Sequence, residues 1–486
     1  MESVLDKTQR PTSVKVFHIP IIARGKVIED YAVEFGGRHG AAFVTPDAKK
    51  YLQKIALTNP AKLKDLYALS MEEILDFLHD LGQRLVLKEN EYLQDAFDLA
   101  CEASGLTPSI LRTMYDALPL FFEKAAIREM LDKRIGIHYL EDWVPTELND
   151  GRTVSIRAFG ARGVHIIAGN VPLVAAGTLI RSCSTRSDTI IKLPSNDPLT
   201  ATALARTMID MDPSHPITQH VCVAYWKGGD TEFETSFYRP EYIEKIVVWG
   251  GFASIKHITR YLQPGIDLIT LDPKLSTSII GAEAFADPQT THAVARRAAI
   301  DVGAYNQEAC VNSRVMYVQS GTDEAGIERL NQFGACLYSE LMNLPPNIST
   351  PPKQFDPELK AQLEALLIDD EFYRVYGGQQ DEGSVIVSQF DEPVDFSHKL
   401  CCRVVNLVPI DNLQTAVKSV NAYTQTVGIF PEQLKQELRD DLILHGVQRI
   451  VSLGFAPNGS LVTPQDALEP LRRMCKWVMD EASVNT

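Results

Sequence analysis

The feature that most constrains the fold is a regular alternation of short β-branched runs with helical stretches, which begins after Glu141. The strand-like runs are Val164–Ala168, Thr189–Leu193, Val221–Trp226, Lys245–Trp249 and Leu268–Leu271. Helix-like segments such as Pro198–Ile209 separate them. Strands and helices that alternate at this spacing are typical of βαβ units, so this region is predicted to form a parallel sheet.

A second α/β series follows in the carboxyl-terminal half. Its helical stretches are Thr290–Ala299 and Glu324–Met342, and its strand-like runs are Arg314–Val318, Arg403–Leu407, Thr426–Phe430 and Arg449–Ser452. A chain of 486 residues is long enough for more than one domain of ordinary size. Two α/β domains are therefore predicted.

The amino-terminal region has a different pattern. From Asp47 to Arg134 the periodicity is mainly helical, and Ser70 with Glu73 forms a capping box at the start of one helix. Thr107–Leu131 is predicted as another helix. Between these helices and the first α/β series, His138–Arg157 contains Asn-Asp-Gly with strand-like flanks, a hairpin signal. An isolated hairpin is marginally stable, so this one either docks on another subunit or packs on its own domain.

Charge and composition exclude several classes of protein. The net charge of −16 disfavours binding to nucleic acid. Met1–Arg10 lacks the apolar stretch of a signal peptide, and the longest mostly apolar run, Val171–Ile180, is half of the ~20 residues that a membrane span needs. Eight cysteines without C-x-x-C spacing indicate reduced thiols, and no histidine pairs with a cysteine at metal spacing. A cytoplasmic protein without a membrane span or a metal site is predicted.

The best candidate nucleophile is Cys310. It lies in a polar segment, YNQEACVNSR, between a helical stretch and a strand, where main-chain N–H groups can face an oxyanion. The alternative is that Cys310 is a small buried apolar residue, as most free cysteines are. Motifs of P-loop NTPases, zincins, α/β-hydrolases and Rossmann dehydrogenases are absent from the sequence.

The Cys310 segment resembles the nucleophile motif of the aldehyde dehydrogenase superfamily. The letters NQEAC are most similar to those of the LuxC family, the long-chain fatty acyl-CoA reductases of bioluminescence operons. Other segments follow in the order of that family: VHIIAGNVP with Asn170, IIKLPS with Lys192 and Ser195, VVWGG with Gly250 and Gly251, LDPKLS at 271–276, Arg403–Asp411, and NAYTQTVGIF at 421–430. The resemblance runs from about residue 138 to residue 455.

The resemblance implies roles for these residues. By the resemblance, Asn170 donates a hydrogen bond to the oxyanion. Without the resemblance, its local sequence is equally consistent with an ordinary Asn in a turn. Lys192 meets the cofactor ribose, and Ser195 stands where Glu often holds a 2′-hydroxyl, which favours NADPH over NADH. Gly250 and Gly251 admit a pyrophosphate, although paired glycines alone are more often a simple turn.

Two departures from the superfamily pattern sharpen the expected chemistry. The general-base Glu of hydrolytic members is missing, because its place reads Ile269-Thr270-Leu271. An acyl-Cys310 thioester is therefore expected to persist until it is reduced. The Glu-Ile-Phe segment that holds the nicotinamide ribose is also absent, with His398–Cys402 near its place. Cys401 and Cys402 receive no role, and His257 is either an acid–base group or a helix-surface residue.

The resemblance implies an aldehyde dehydrogenase-like α/β fold with a helical amino-terminal part and an oligomerisation hairpin. The cofactor-binding domain is predicted at 1–137 and 158–272, the arm and tail at 138–157 and 453–486, and the catalytic domain at 273–452. The implied activity is NADPH-dependent reduction of a long-chain fatty acyl thioester, acyl-CoA or acyl-protein, to an aldehyde. The implied partners are an acyl-protein synthetase, a thioesterase and further copies of this chain.

Two alternatives to this activity remain. One is a reductase of a short or carrier-bound acyl thioester, and the other is a non-catalytic acyl-binding subunit.

Overall fold

A computed structural model describes residues 16–36, 41–272, 274–368 and 371–481. The strands are β1 Val16–His18, β2 Ile21–Ala23, β3 Lys26–Ile28, β4 Tyr31–Gly36, β5 Ala42–Pro46, β6 Val144–Glu147, β7 Thr153–Phe159, β8 Arg162–Ile166, β9 Asp188–Lys192, β10 Val221–Ala224, β11 Lys245–Trp249, β12 Asp267–Leu271, β13 Leu275–Ile280, β14 Ser313–Val318, β15 Tyr373–Gly377, β16 Ser384–Ser388, β17 Val404–Pro409, β18 Thr424–Phe430, β19 Arg449–Ser452 and β20 Lys476–Glu481. Met1–Arg10 and Pro273, on which sequence predictions fall, lie outside the described residues.

Helices cover the faces of the sheets. They are α1 Leu52–Ile55, α2 Lys64–Tyr67, α3 Met71–Arg84, α4 Glu91–Ala103, α5 Pro108–Asp116, α6 Leu118–Phe121, α7 Lys124–Arg134, α8 Ile137–Glu141, α9 Leu173–Ser184, α10 Thr200–Met211, α11 Pro216–Gln219, α12 Thr231–Phe237, α13 Phe252–Ile258, α14 Pro288–Gly303, α15 Glu324–Met342, α16 Pro357–Leu366, α17 Leu413–Ser419, α18 Glu432–Leu444 and α19 Pro470–Met474. In the part of the chain that the structure describes, none is long and apolar enough to cross a membrane.

The first large sheet has the strand order β12-β11-β8-β9-β10-β2-β3. Strands β8 to β12 are parallel, and β2 and β3 add an antiparallel edge. The parallel strands are rich in Val and Ile because helices bury both faces of such a sheet. Their carboxyl ends meet at one edge, which brings the segments after β8, β9, β10 and β11 together.

The second large sheet has the order β15-β16-β17-β14-β13-β18-β19. Only β15 runs antiparallel within it. Strand β14, which begins at Ser313 directly after the Cys310 segment, is a central strand and pairs with β13 and β17. The predicted parallel α/β pattern is therefore confirmed in both halves of the chain, while the exact domain boundaries stay a prediction.

The helical amino-terminal part is confirmed in α3 and corrected elsewhere. Ser70 and Glu73 form the predicted capping box, in which Glu73 Oε2 accepts from the Ser70 N–H at 2.8 Å. The single helix predicted at 107–131 is broken into α5, α6 and α7. Pro119 is the second residue of α6 and has no N–H to continue the α5 ladder, which explains the break between α5 and α6.

Residues 16–36 and 41–46, which precede the helical region predicted from Asp47, form short strands. Strands β1, β4 and β5 make a small sheet of their own, and β2 pairs with β10 through Ile22 and Val223. Strands β1, β2 and β3 have three residues each, which is too short to produce a period-two pattern, so sequence periodicity does not detect these three.

The predicted hairpin forms, and the tail divides into two parts. Strands β6 and β7 pair antiparallel, and β20 from the tail pairs with the other side of β7. The earlier part of the tail lies against helix α14 instead, where the N–H groups of Gly454 and Ala456 donate to Asp301 at 2.9 Å each. Assembly of further copies through the hairpin stays a prediction.

Candidate active site

The segment before Cys310 has an unusual main chain. Tyr305, Asn306 and Gln307 have φ values of 55°, 52° and 65°, so three consecutive non-glycine residues are left-handed. Such a conformation is costly and persists only where the surroundings hold it. The Gln307 side chain does so: it donates to the carbonyls of Ser313 and Val404 at 2.9 Å each and accepts from the Val404 N–H at 3.0 Å.

Two further side chains fix the Cys310 turn itself. Asn312 accepts from the Ala309 N–H at 3.1 Å and donates to the Ala304 carbonyl at 2.9 Å. The Ser276 hydroxyl, on β13, donates to the Cys310 carbonyl at 2.7 Å. These hydrogen bonds hold Cys310 just before the amino end of the central strand β14. The main-chain carbonyl of Cys310 points toward β13.

Burial controls the ionisation of Cys310. It raises the pKa of the thiol to about 11, and the charge of Asp466 acts in the same direction. A hydrogen bond from Gln425, the N–H of Cys310 and the charge of Arg314 lower that pKa by smaller amounts. In the resting protein the sulfur is therefore a protonated thiol at neutral pH.

Asn170 lies beside this turn, as the resemblance implies. It follows Gly169, where a Cβ would come within 2.4 Å of the Asn196 side-chain oxygen, so only glycine fits. The Asn170 carboxamide donates to the main-chain carbonyl of Glu308 at 3.2 Å. Glu308 precedes Cys310 by two residues. An amide donor from the loop after β8 of the first sheet therefore contacts the Cys310 loop, which precedes β14 of the second sheet.

Lys192 ends strand β9 at the shared edge of the first sheet. Its ammonium lies 5.6 Å from the ring centroids of both Tyr225 and Trp226. Burial lowers the pKa of Lys192 to about 8, and Glu234 opposes that shift. A cation this poorly hydrated is well suited to an anionic ligand, while Ser195 lies three residues further on in the following turn.

Glu234, which sequence reasoning missed, organises the neighbouring helices. Its buried carboxylate accepts from His257 at 2.7 Å, from the Tyr261 hydroxyl at 3.0 Å and from the Gly229 N–H at 3.2 Å. These contacts join α12, α13 and the turn after β10. His257 is thus paired with a buried carboxylate, and its acid–base role stays a prediction.

A cavity of about 450 Å³ opens at the end of β10. Its walls include the rings of Tyr225 and Trp226, the turn Lys227-Gly228-Gly229, and Lys49. Lys192 is not a wall residue, but it touches the same two rings.

Gly250 and Gly251 follow β11 at the same edge of the sheet. A Cβ on Gly251 would meet nothing within 4 Å, so protein packing does not require glycine there and the main chain is open to a ligand.

The stretch Ile269-Thr270-Leu271, which has no carboxylate in the sequence, lies in strand β12. Ile269 and Leu271 are buried in β12, with Thr270 between them. The tail, however, supplies a carboxylate that sequence reasoning missed: Asp466 lies near enough to Cys310 to raise the pKa of its thiol. No local motif marks Asp466, because only the fold of the tail brings it here.

The segment near the expected inner-ribose contact has no carboxylate. Cys401 and Cys402 lie there with their sulfurs 3.6 Å apart, as free thiols. Both lie near Arg314, whose pKa is lowered by burial. The inner-ribose contact remains unassigned.

The comparison that decides the family covers most of the chain. The family model described as acyl-CoA reductase (LuxC) matches residues 66–477. The chain belongs to the LuxC family of acyl-CoA reductases.

Curated relatives agree with membership of the LuxC family. The long-chain acyl-protein thioester reductase of Vibrio harveyi is 26% identical over 477 residues, which are 96% of this chain and 94% of the relative. The protein of the same description from Aliivibrio fischeri is 27% identical over 436 residues, 88% of this chain and 86% of the relative.

Solved structures confirm the predicted fold. Aldehyde dehydrogenase 21 from Physcomitrella patens superposes with a TM-score of 0.73 at 14% identity, covering 96% of this chain and 99% of its own. The NADP-dependent glyceraldehyde-3-phosphate dehydrogenase from Bacillus halodurans gives 0.70 at 13% identity, covering 96% and 100%. This LuxC-family protein therefore has the aldehyde dehydrogenase-like fold.

Proposed function

We propose that the protein reduces a long-chain fatty acyl thioester to a fatty aldehyde with NADPH, through an acyl group carried on Cys310. Membership of the LuxC family and the descriptions of the relatives as long-chain acyl-protein thioester reductases support the reaction class. One observation carries the residue assignment. The Asn170 carboxamide contacts the carbonyl of Glu308, two residues before Cys310, so a nucleophile and an amide donor share one site.

The acylation step follows from this arrangement. The Cys310 sulfur attacks the thioester carbonyl, and the carbonyl oxygen gains negative charge as the new S–C bond forms. The second N–H of the Asn170 amide and the N–H of Cys310 donate to that oxygen. When the oxyanion collapses, the original C–S bond breaks and the departing thiolate takes up the proton that Cys310 lost.

The same donors serve the reduction. NADPH, when bound, supplies a hydride equivalent to the acyl carbon. Asn170 and the Cys310 N–H again hold the oxyanion, and collapse breaks the S–C bond to release the aldehyde and the Cys310 thiolate. One thioester, one NADPH and one proton thus give one aldehyde, one NADP⁺ and one free thiol.

The described residues fit a phosphorylated dinucleotide. Lys192 is a half-buried residue whose ammonium lies over two aromatic rings, and Lys227 adds a second cation in the wall of the adjoining cavity. Ser195 is small and neutral, which leaves room for a 2′-phosphate beside Lys192. Lys192 and Ser195 are proposed to hold the ribose end, and Gly250 with Gly251 the pyrophosphate.

The proposed acyl donor is an acyl-protein or acyl-CoA thioester. The printed descriptions of the relatives favour the acyl-protein. An acyl-protein synthetase and a thioesterase are the proposed partners that supply the acyl group, and the β6–β7 hairpin is proposed to join copies of the chain.

Intact mass spectrometry tests the proposal. Mixing the protein with a long-chain acyl-CoA in the absence of NADPH should add one acyl group, and the Cys310→Ala variant should add none. Cys101→Ala, which removes another half-buried thiol, is the matched control and should acylate normally. If Cys310→Ala still carries the acyl group, the proposed nucleophile is wrong.

Aldehyde formation with NADPH across chain lengths separates the alternatives. A maximum at short chains would favour a biosynthetic acyl thioester. No aldehyde from any thioester would favour a non-catalytic acyl-binding subunit.

A further inference from the structure

A glutamine that no sequence motif marked lies between Cys310 and the tail. Gln425 is on β18 and is only 7% exposed. Its Nε2 donates to Asp466 Oδ1 at 2.6 Å, and the Thr426 hydroxyl donates to its Oε1 at 3.3 Å. The two ends of a carboxamide differ only in their hydrogen-bonding partners, so these contacts fix which end faces which way.

The orientation leaves one N–H of the Gln425 amide for another acceptor. The Ser276 hydroxyl joins this part of β18 to the nucleophile, because it accepts from the Thr426 N–H at 3.1 Å and donates to the Cys310 carbonyl at 2.7 Å. Hydrogen bonding from the Gln425 amide also lowers the pKa of the Cys310 thiol. A donor favours a thiolate, because it stabilises the charged form. Gln425 is therefore placed to act on the nucleophile, and Asp466 is placed to hold Gln425.

A tight turn in the tail holds Asp466 next to Gln425. Gln465 and Leu468 form an antiparallel bridge, and the two residues between them, Asp466 and Ala467, have φ values of 51° and 57°. A left-handed alanine is unfavourable, so the tight turn persists only because its surroundings hold it. Further back, the tail is fixed to Asp301 through Gly454 and Ala456.

The charges around Asp466 come from several elements. Burial raises the pKa of its carboxyl, and Asp272 acts in the same direction. Lys274, Arg181 and the hydrogen bond from Gln425 act in the opposite direction. Arg181 is itself buried on α9, and Asp466 is the charge that stabilises its cationic form.

We propose that Gln425 is the side-chain hydrogen-bond donor to the Cys310 sulfur, and that Asp466 is the positioning residue that fixes the Gln425 amide in its donating orientation. The two residues have opposite effects on the stability of the Cys310 thiolate. The Gln425 N–H stabilises the negative sulfur, and the negative charge of Asp466 repels it. The same donor would assist Cys310 as a leaving group when the aldehyde is released. This inference rests on the proposed function, in which Cys310 is the nucleophile.

Because the two residues have opposite effects on the thiolate, their substitution should change the reactivity of Cys310 in opposite directions. The measurement is the rate constant for alkylation of Cys310 by iodoacetamide between pH 6.5 and 9, read by peptide mass spectrometry so that the other cysteines do not contribute. Gln425→Met removes the donor at nearly constant volume and should lower the rate about tenfold at each pH. Asp466→Asn keeps an acceptor oxygen for Gln425 but removes the charge, and should raise the rate about threefold.

Controls separate this effect from a general disturbance. Gln319→Met and Asp411→Asn change the same residue types at the far end of β14, where Gln319 donates to the Asp411 carbonyl at 3.3 Å, and should leave the rate unchanged. Gln425→Asn, which shortens the side chain by one methylene, replaces Gln425→Met if that variant does not fold, and should also lower the rate. Equal rates in all variants, or a fall in both Gln425→Met and Asp466→Asn, would overturn the proposal.

The failure of this inference is distinguishable from the failure of the proposed function. If Cys310→Ala abolishes acylation but the alkylation rates do not move in opposite directions, only the Gln425–Asp466 assignment is wrong. If Cys310→Ala still acylates, the nucleophile is wrong whatever the alkylation rates are.

Discussion

The Asn170 carboxamide donates to the main-chain carbonyl of Glu308 across 3.2 Å, which joins the loop after β8 in one sheet to the Cys310 loop of the other. The distance between the proposed oxyanion donor and the proposed nucleophile is thus set by how the two sheets meet. This side-chain hydrogen bond spans the boundary at the point where the reaction is proposed to occur.

Removing the Asn170 amide is expected to slow acylation of Cys310 by about 10²–10³-fold, because an oxyanion loses a preorganised donor. The measurement is the rate of acyl-enzyme formation with Asn170→Ala in rapid-quench mass spectrometry. Asn343→Ala, at the carboxyl end of α15, is a control that should acylate at the normal rate. A normal rate for Asn170→Ala would remove Asn170 from the oxyanion site.

Acylation of the native protein is expected to rise about tenfold per pH unit from pH 7 to pH 9. The reason is that burial raises the pKa of Cys310 to about 11, so the thiolate fraction grows throughout this range. Rapid-quench mass spectrometry at fixed acyl-CoA concentration measures it. A rate that levels off below pH 8 would contradict the high thiol pKa.

Lys192 is expected to make cofactor binding weaken as pH rises through about 8. Burial lowers the pKa of Lys192 to about 8, so its positive charge is present below that pH and is lost above it. Lys192→Met should raise the Kd for NADPH at pH 7 by about 10–100-fold, since a charge-assisted hydrogen bond is lost. Fluorescence titration checks both effects, and the pH dependence above 7 should disappear in the variant.

Ser195→Glu is expected to shift cofactor preference from NADPH to NADH. A carboxylate beside Lys192 would repel a 2′-phosphate and accept from a free 2′-hydroxyl. The ratio of kcat/KM for the two cofactors should change by about tenfold or more, with acylation in the absence of cofactor unaffected. A Ser195→Gln variant of similar size but no charge isolates the electrostatic part, and an unchanged ratio in both variants would place the ribose elsewhere.

Asp301→Asn is expected to destabilise the protein by about 1–3 kcal/mol and to slow acylation. Buried Asp301 accepts from the N–H groups of Gly454 and Ala456, and an amide nitrogen would face one of those donors without bonding it. Urea unfolding and the acylation rate measure the two effects. Asp287→Asn on the same helix, where either residue can cap, is the matched control and should change neither.

Local patterns were sufficient for the elements that form the framework. The strand Lys245–Trp249 and the helix Glu324–Met342 have the predicted bounds, because a fully buried strand and a long amphipathic helix each leave a strong local signal. The three-residue strands near the amino terminus leave no such signal. Periodicity predicted one continuous helix at 107–131, and the break at Pro119 divides it.

For the candidate site, sequence order identified the residues that belong to motifs. Asn170 and Cys310 were predicted in this way, and their roles stay predictions. In the structure the Asn170 amide donates to the carbonyl of Glu308, which is two residues before Cys310. Gln425, Asp466 and Glu234 were not found. Each contacts a partner that is distant in the sequence, so its neighbours along the chain do not reveal that contact.

By itself, the sequence determined the two α/β series, the family resemblance and the nucleophile candidate, because buried strands and reactive turns require particular residue types in a fixed order. Only the tertiary structure decided the environment of that nucleophile. The pKa of the Cys310 thiol depends on how deeply the sulfur is buried and on how close Asp466, Gln425 and Arg314 come to it. Desolvation and Coulomb energy depend on distances through space, and those distances exist only once β14, β18 and the tail have packed together.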